Sequence, residues 1–154
     1  MNFKATMFRG MLALCLAGLF MLAAAPGAFA LSDSEFEMLL KRAENLTNDL
    51  DDDFSRALDK TRLDGTDEED RLQSQAEALE DTMDEILSDY KERASSDTIK
   101  EKVHRALTIA ADIDRVIVKY HFPEEVEGDW RQLRSDLNGM ARHFSLPEIP
   151  AAVR

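Results

Sequence analysis

Residues 72–90 read LQSQAEALEDTMDEILSDY. Leu72, Ala76, Leu79, Met83, Ile86 and Tyr90 recur at steps of four and three without a miss, and most residues between them are polar or charged. That spacing lays the apolar residues along one face of a helix turning every 3.6 residues, whereas a strand would need alternation at every second position. A helix that is apolar on one face must bury it against something else. The rest of the chain therefore has to supply partners.

It does so three times. Upstream, Phe36, Leu39, Ala43, Leu46 and Leu50 keep a similar step; the phase slips at Asp53 and resumes through Phe54, Ala57 and Leu58. Downstream, Ile99, Val103, Ala106, Ala110, Ile113, Ile117 and Tyr120 form a third stripe. Leu107, Ile109 and Val116 broaden it, so the third helix is expected to be the most enclosed. Val126, Trp130, Leu133, Leu137, Met140 and Phe144 make a fourth.

The helix ends are marked too. Ser32 with Glu35, and Thr66 with Glu69, fit the reciprocal cap in which a hydroxyl and a carboxylate satisfy first-turn amides. Gly65 suits a left-handed stop for the first helix. Ser95, Ser96 and Asp97 separate the second from the third. Pro123 suits the first turn of the fourth, with Glu124 and Glu125 at the positive end of its dipole.

Short connections make neighbouring helices antiparallel. The expected fold is all-α: an antiparallel up-down-up-down four-helix bundle over 31–146, followed by an extended C-terminal tail at 147–154 held by Pro147 and Pro150. Four such stripes should close on one another and leave no pocket for chemistry. The same stripes would bury equally well in a homodimer of two longer hairpins.

Residues 1–30 differ in kind. Lys4 and Arg9 stand there without an acid, the run MLALCLAGLFMLAAA follows, and Pro26-Gly27 leads to Ala28 and Ala30. Charged head, short apolar middle and small-residue exit specify a signal peptide, cleaved after Ala30, and a destination in the periplasm. The apolar run falls short of the roughly 20 residues needed to span a bilayer, so no membrane association is expected after cleavage. The only cysteine, Cys15, leaves with the leader. The remainder then has no disulfide, thiolate nucleophile or cysteine metal ligand.

The full chain carries a net charge of −12, or −14 without residues 1–30, which contribute two bases and no acid. Such a surface repels phosphate backbones, so nucleic acid is not an expected partner. Residues 31–94 hold 21 acids against 8 bases, and residues 95–154 hold 10 against 9, so the imbalance belongs to the first hairpin. Asp67, Glu68, Glu69 and Asp70 occupy the first turn of the second helix, where the dipole favours negative charge by about 0.3–1 kcal/mol each.

No dipole explains Asp49, Asp51, Asp52 and Asp53, which are poor helix formers well inside a helix. They mark a kink or a contact surface. As a calcium loop this run fails, because Phe54 replaces the turn glycine and Lys60 the closing glutamate. Such a run reads first as a solvated face that keeps the chain soluble; as a site, these eight carboxylates form the candidate partner-binding surface, for a basic protein or cationic peptide, with a weak divalent-cation site as the further alternative.

Other chemistry finds little support. Residues 101–104 read EKVH once, where di-iron bundles use E-x-x-H twice, and Glu101 and His104 fall on the outer face. The architecture resembles that of soluble periplasmic b-type cytochromes, with Met38 and His143 near the places of their haem ligands. Met38, however, lies off its stripe and His143 only flanks one. No C-x-x-C-H, nucleophile elbow or glycine-rich phosphate loop occurs. The expectation is a non-catalytic binding or scaffolding module without a resident cofactor, the alternative being a carrier of b-type haem or a weakly held divalent cation.

The most individual stretch is DWRQLRSDLNGMARHF, residues 129–144. Trp130 should be a core anchor, with Arg134 paired to an acid on a neighbouring helix. The pattern W-x-x-L-R-x-D-x-N-x-x-A, formed by Trp130, Leu133, Arg134, Asp136, Asn138 and Ala141, resembles one in uncharacterised bacterial exported helical proteins. The resemblance is confined to the fourth helix. It implies a similar fold and secretion and carries no activity.

Overall fold

The computed structural model describes residues 31–150; the expected leader at 1–30 and its expected cleavage point lie outside them, as do residues 151–154. Four helices follow one another, α1 (Asp33–Leu58), α2 (Asp67–Lys91), α3 (Ser96–Tyr120) and α4 (Glu124–His143). Each packs on the next and α4 returns to α1, closing an antiparallel four-helix bundle.

The caps explain where helices start. At α1 the Ser32 N–H donates to Glu35 Oε2 (2.8 Å) and the Glu35 N–H donates to Ser32 Oγ (3.3 Å), completing the reciprocal cap. At α2 only half of it forms: the Glu69 N–H donates to Thr66 Oγ1 (3.3 Å), while the Glu69 carboxylate accepts from the Gly65 N–H (2.6 Å). Gly65 is left-handed, at φ +73°, but α1 has already ended at Leu58. The glycine therefore serves the entry to α2. Between them Thr61 shapes the turn, its hydroxyl donating to Leu58 O (2.8 Å) and accepting from the Leu63 N–H (3.1 Å), and Leu63 drops back into the core. Pro123 is the residue before α4 and not part of its first turn.

The core stripe of α1 differs from the one read in the sequence. Its buried line is Phe36, Leu40, Ala43, Thr47, Leu50, Phe54, Ala57, in unbroken steps of four and three. Nothing slips at Asp53, and no kink is needed there. Leu39 and Leu46 only flank the seam, and the inward positions belong to Leu40 and Thr47. A buried threonine is tolerated because its hydroxyl donates to Glu44 O (2.7 Å) within its own helix; Thr82 does the same to Ala78 O (2.6 Å). Leu39 lies across Gly139 of α4, where a Cβ would come within 2.6 Å of its Cδ1, so the glycine makes room for it.

The stripes of α2, α3 and α4 are buried as read, except that their last rings, Tyr90, Tyr120 and Phe144, are half-buried. The most enclosed helix is α4, with nine buried residues in 20, ahead of α3 with nine in 25. Part of the reason is the segment after it. The Asn138 side chain donates to Ile149 O (2.9 Å) and accepts from the Ile149 N–H (2.8 Å), which brings Ile149 back into the core at 4% exposure.

Two buried carboxylates fix the position of α4. Asp114 of α3 accepts from Trp130 Nε1 (2.7 Å) and from Arg134 (3.2 Å), the expected pairing to an acid on a neighbouring helix. Asp136 of α4 takes both prongs of the Arg42 guanidinium from α1, Nε at 2.6 Å and Nη2, with Gln132 at 3.3 Å. Leu133 and Ala141 are wholly buried. Each named position of the α4 sequence pattern thus has a packing or bonding partner inside the fold.

A bidentate guanidinium–carboxylate pair is directional as well as strong. In urea unfolding, Arg42→Met and Asp136→Leu should each destabilise, and the double variant should recover a coupling of about 1–3 kcal/mol. Additive losses would mean that the pair does not hold α1 to α4.

Candidate functional site

The helix dipoles organise the charge at both ends of the bundle. At one end α2 and α4 begin, with Asp67–Asp70 and with Glu124, Glu125 and Glu127 in their first turns. The same end receives the C-termini of α1 and α3, where Lys60, Arg62, Lys119 and His121 gather around Tyr120. The Arg62 guanidinium lies 5.2 Å and the Lys119 ammonium 4.6 Å from the centre of that ring. Acids at helix starts and bases at helix ends are the favourable arrangement. This basic cluster is invisible when charge is summed hairpin by hairpin.

The eight carboxylates predicted as one surface separate into three groups. In the first turn of α2, Glu68 pairs with Arg71 (2.9 Å), a bond that holds its carboxyl below the ordinary range, and Glu69 is engaged by the Gly65 amide. Asp67 and Asp70 are exposed. On α1, Asp53 pairs with Arg56, and Asp49 and Asp53 act together on Asp129 of α4. Burial first, then Asp53, Asp49 and Glu125, push the Asp129 carboxyl above its ordinary range. Asp51 and Asp52 face α2 instead. Burial, then Glu77 and Asp52, raise Asp51; burial, then Asp51, Asp84, Asp81 and Asp52, raise Glu80.

An acidic seam therefore runs between α1 and α2, made of Asp51, Asp52, Glu77, Glu80, Asp81 and Asp84. Among the described residues none of the six makes an ion pair, and Asp51 Oδ1 is buried without a hydrogen-bond partner. Neither dipole nor capping accounts for it. Sequence reasoning found Asp51 and Asp52 and missed the four acids of α2. The signal was present in their spacing, three, one and three residues apart on a single helical face.

Asp59, Asp64 and Glu69 form the one group among the described residues whose carboxylate oxygens converge, within 4.8 Å of one another. They offer three of the about six to eight oxygens that calcium takes. Glu69 is in addition already bonded to the Gly65 amide.

At the opposite end the expectation of a bundle without a pocket fails. The stripes close the middle, but where α1 and α3 begin and α2 and α4 finish, the half-buried end rings leave an open cavity of about 760 Å³. Phe36 stands at its centre, 4.8 Å from the His143 ring, 5.5 Å from Tyr90 and 5.6 Å from Phe144. The Tyr90 hydroxyl donates to Asp33 O (3.0 Å). His143 Nδ1 is shut away from solvent without a hydrogen-bond partner. Met38 is 67% exposed and not on this cavity, so the two residues compared with haem ligands do not meet. His104 is exposed on the outer face of α3, as its position in the stripe requires.

No family model, curated protein or solved structure matches the chain. Among the described residues no helix is long and apolar enough to cross a membrane.

The seam, together with Asp129 of α4, has a pH signature. Asp51, Glu80 and Asp129 have raised folded values, so protonation favours the folded chain; that contribution is full below the ordinary carboxylate range and is lost as pH rises through the raised values. Glu35 and Glu68, held low, act in the opposite sense, stabilising above the ordinary range and failing as pH falls. Neutralising the first three together, as Asp51→Asn, Glu80→Gln and Asp129→Asn, should raise the melting temperature at neutral pH by about 2–6 °C. The gain should shrink to nothing near about pH 4. A lower melting temperature at neutral pH would show that the three carboxylates make stabilising contacts.

Proposed function

We propose that this protein is a non-catalytic binding module of the periplasm, and that the acidic seam between α1 and α2 docks a basic protein or cationic peptide. The observation that carries the reading is the row of six carboxylates without an ion pair among the described residues, two of them, Asp51 and Glu80, pushed above their ordinary range by burial and by neighbouring carboxylates. Helix geometry, capping and dipoles leave this row unexplained, and it costs stability at neutral pH. A cationic segment laid along it would relieve that repulsion, steer association and make it salt-sensitive.

Glu77 to Asp84 spans about 10 Å of helix, so the partner would present two or more lysines or arginines over that length. Export is supported by the leader pattern, and by the likeness of α4 to exported bacterial helical proteins. Catalysis is not part of the reading, since the buried carboxylates Asp114, Asp136 and Glu127 already face tryptophan or arginine side chains. The carrier alternative is weaker, with Met38 in solvent and a three-oxygen acidic group at the α1–α2 turn.

Capture from a periplasmic extract of the native host, at about 50 and 500 mM salt, tests it. A specific partner should be retained at low salt and released at high salt. Changing Asp51, Asp52, Glu77 and Glu80 to their amides should weaken capture about tenfold or more. Retention that ignores both salt and the amide variant would rule the seam out as the docking surface.

A further inference from the structure

We propose that the open end of the bundle is a second binding site, separate from the acidic seam, for a small aromatic carboxylate: a flat apolar body carrying one anionic head. All four helices contribute to the cavity, and its 760 Å³ lies within the about 300–1,000 Å³ usual for small-molecule sites.

One part of the lining suits the body. Phe36, Tyr90 and Phe144 present rings at tilted and edge-on angles, and Leu87 and Ile99 add aliphatic wall. A planar ring entering there would find the offset and edge contacts that aromatic groups prefer.

Another part suits the head. Lys91 and Arg93 stand on the cavity, and neither makes an ion pair among the described residues, in a chain whose acids outnumber its bases by 31 to 19. Arg93 is left-handed at φ 58°, where a glycine is the usual occupant, with the Ala94 N–H closing on Asp89 O (2.9 Å). Ser96, the first residue of α3, also lines the cavity, so the positive end of that helix abuts it. Two acids lie opposite. Glu37 is paired with Lys41 (2.6 Å), and Asp33 sits at the positive end of its own helix.

His143 completes the set. Its ring lines the cavity, stacked on Phe36 and edge-on to Phe144, and its Nδ1 is buried without a hydrogen-bond partner among the described residues. The basic cluster at the other end has no aliphatic wall.

The test uses the chain without its leader and 2-naphthoate as the probe, with 2-naphthylmethylamine as the charge-reversed control. Calorimetry should show saturable one-to-one binding of the carboxylate, with the amine about tenfold weaker or more. The ring-nitrogen resonances of His143 should shift, while those of His104 and His121 stay. Lys91→Gln with Arg93→Gln, both exposed and so with only a small effect on the melting temperature, should weaken naphthoate about tenfold. The proposal is overturned by the absence of saturable binding up to about 1 mM. Equal affinity for the amine, equal affinity in the double variant, or shifts shared by all three histidines would overturn it as well.

Discussion

The position of α4 depends on two carboxylates buried in the fold, Asp114 and Asp136. Apolar stripes pull helices together without direction, and a seam of leucine, alanine and methionine tolerates sliding and rotation at small cost. Asp114 and Asp136 do not tolerate them. Each must meet its donors, Trp130 with Arg134 and the fork of Arg42, or remain as an uncompensated buried charge. One carboxylate links α4 to α3 and the other links it to α1, so together they set its rotation and its height. With no cysteine after Cys15, no covalent link shares the task. The close approach of Leu39 to Gly139 and the return of Ile149 to Asn138 follow from the same placement.

How much of this was legible depends on what kind of residue held each position. The stripes of α2, α3 and α4 could be read directly because nearly every inward position is apolar. That of α1 was misread at two places because Thr47 is polar by composition and apolar in effect, its hydroxyl being spent on Glu44 O. Choosing Leu46 over Thr47 and Leu39 over Leu40 then created a phase slip and a supposed kink at Asp53 that the helix does not contain. The pairing of Arg134 was legible in kind, as a cation beside a buried tryptophan, though its partner Asp114 was not. Nothing near Asn138 announces that it will hold the backbone of Ile149, eleven residues on. The open end was hidden for another reason: whether terminal rings such as Tyr90 and Phe144 meet across a bundle depends on the splay of the helices, which periodicity does not encode.

Charge was legible in amount and illegible in arrangement. The excess of acid on the first hairpin is a property of the sequence, but its meaning changes once helix ends and helix flanks are separated. At the ends, acids and bases alternate with the direction of the helices and need no ligand to explain them. Along the α1–α2 flank, Asp51 and Glu80 are partly withdrawn from water while facing carboxylates, so burial and the neighbouring acids raise the cost of ionising both. A fold closed by directional clamps can carry that repulsion without opening.

The seam and the open end would answer to different physics. Attraction along the seam is long-ranged and fades as salt shortens the screening length to about 8 Å at physiological strength. Contact at the open end would be short-ranged, made of ring faces and aliphatic wall, and salt would touch only its charged side chains. Occupancy of one therefore need not displace the other. What they share is α1, which carries Asp51 on its flank and Phe36 at its head. Any influence of one site on the other would have to pass along that helix, and the Arg42–Asp136 pair lies between the two residues on it, resisting rotation at the midpoint.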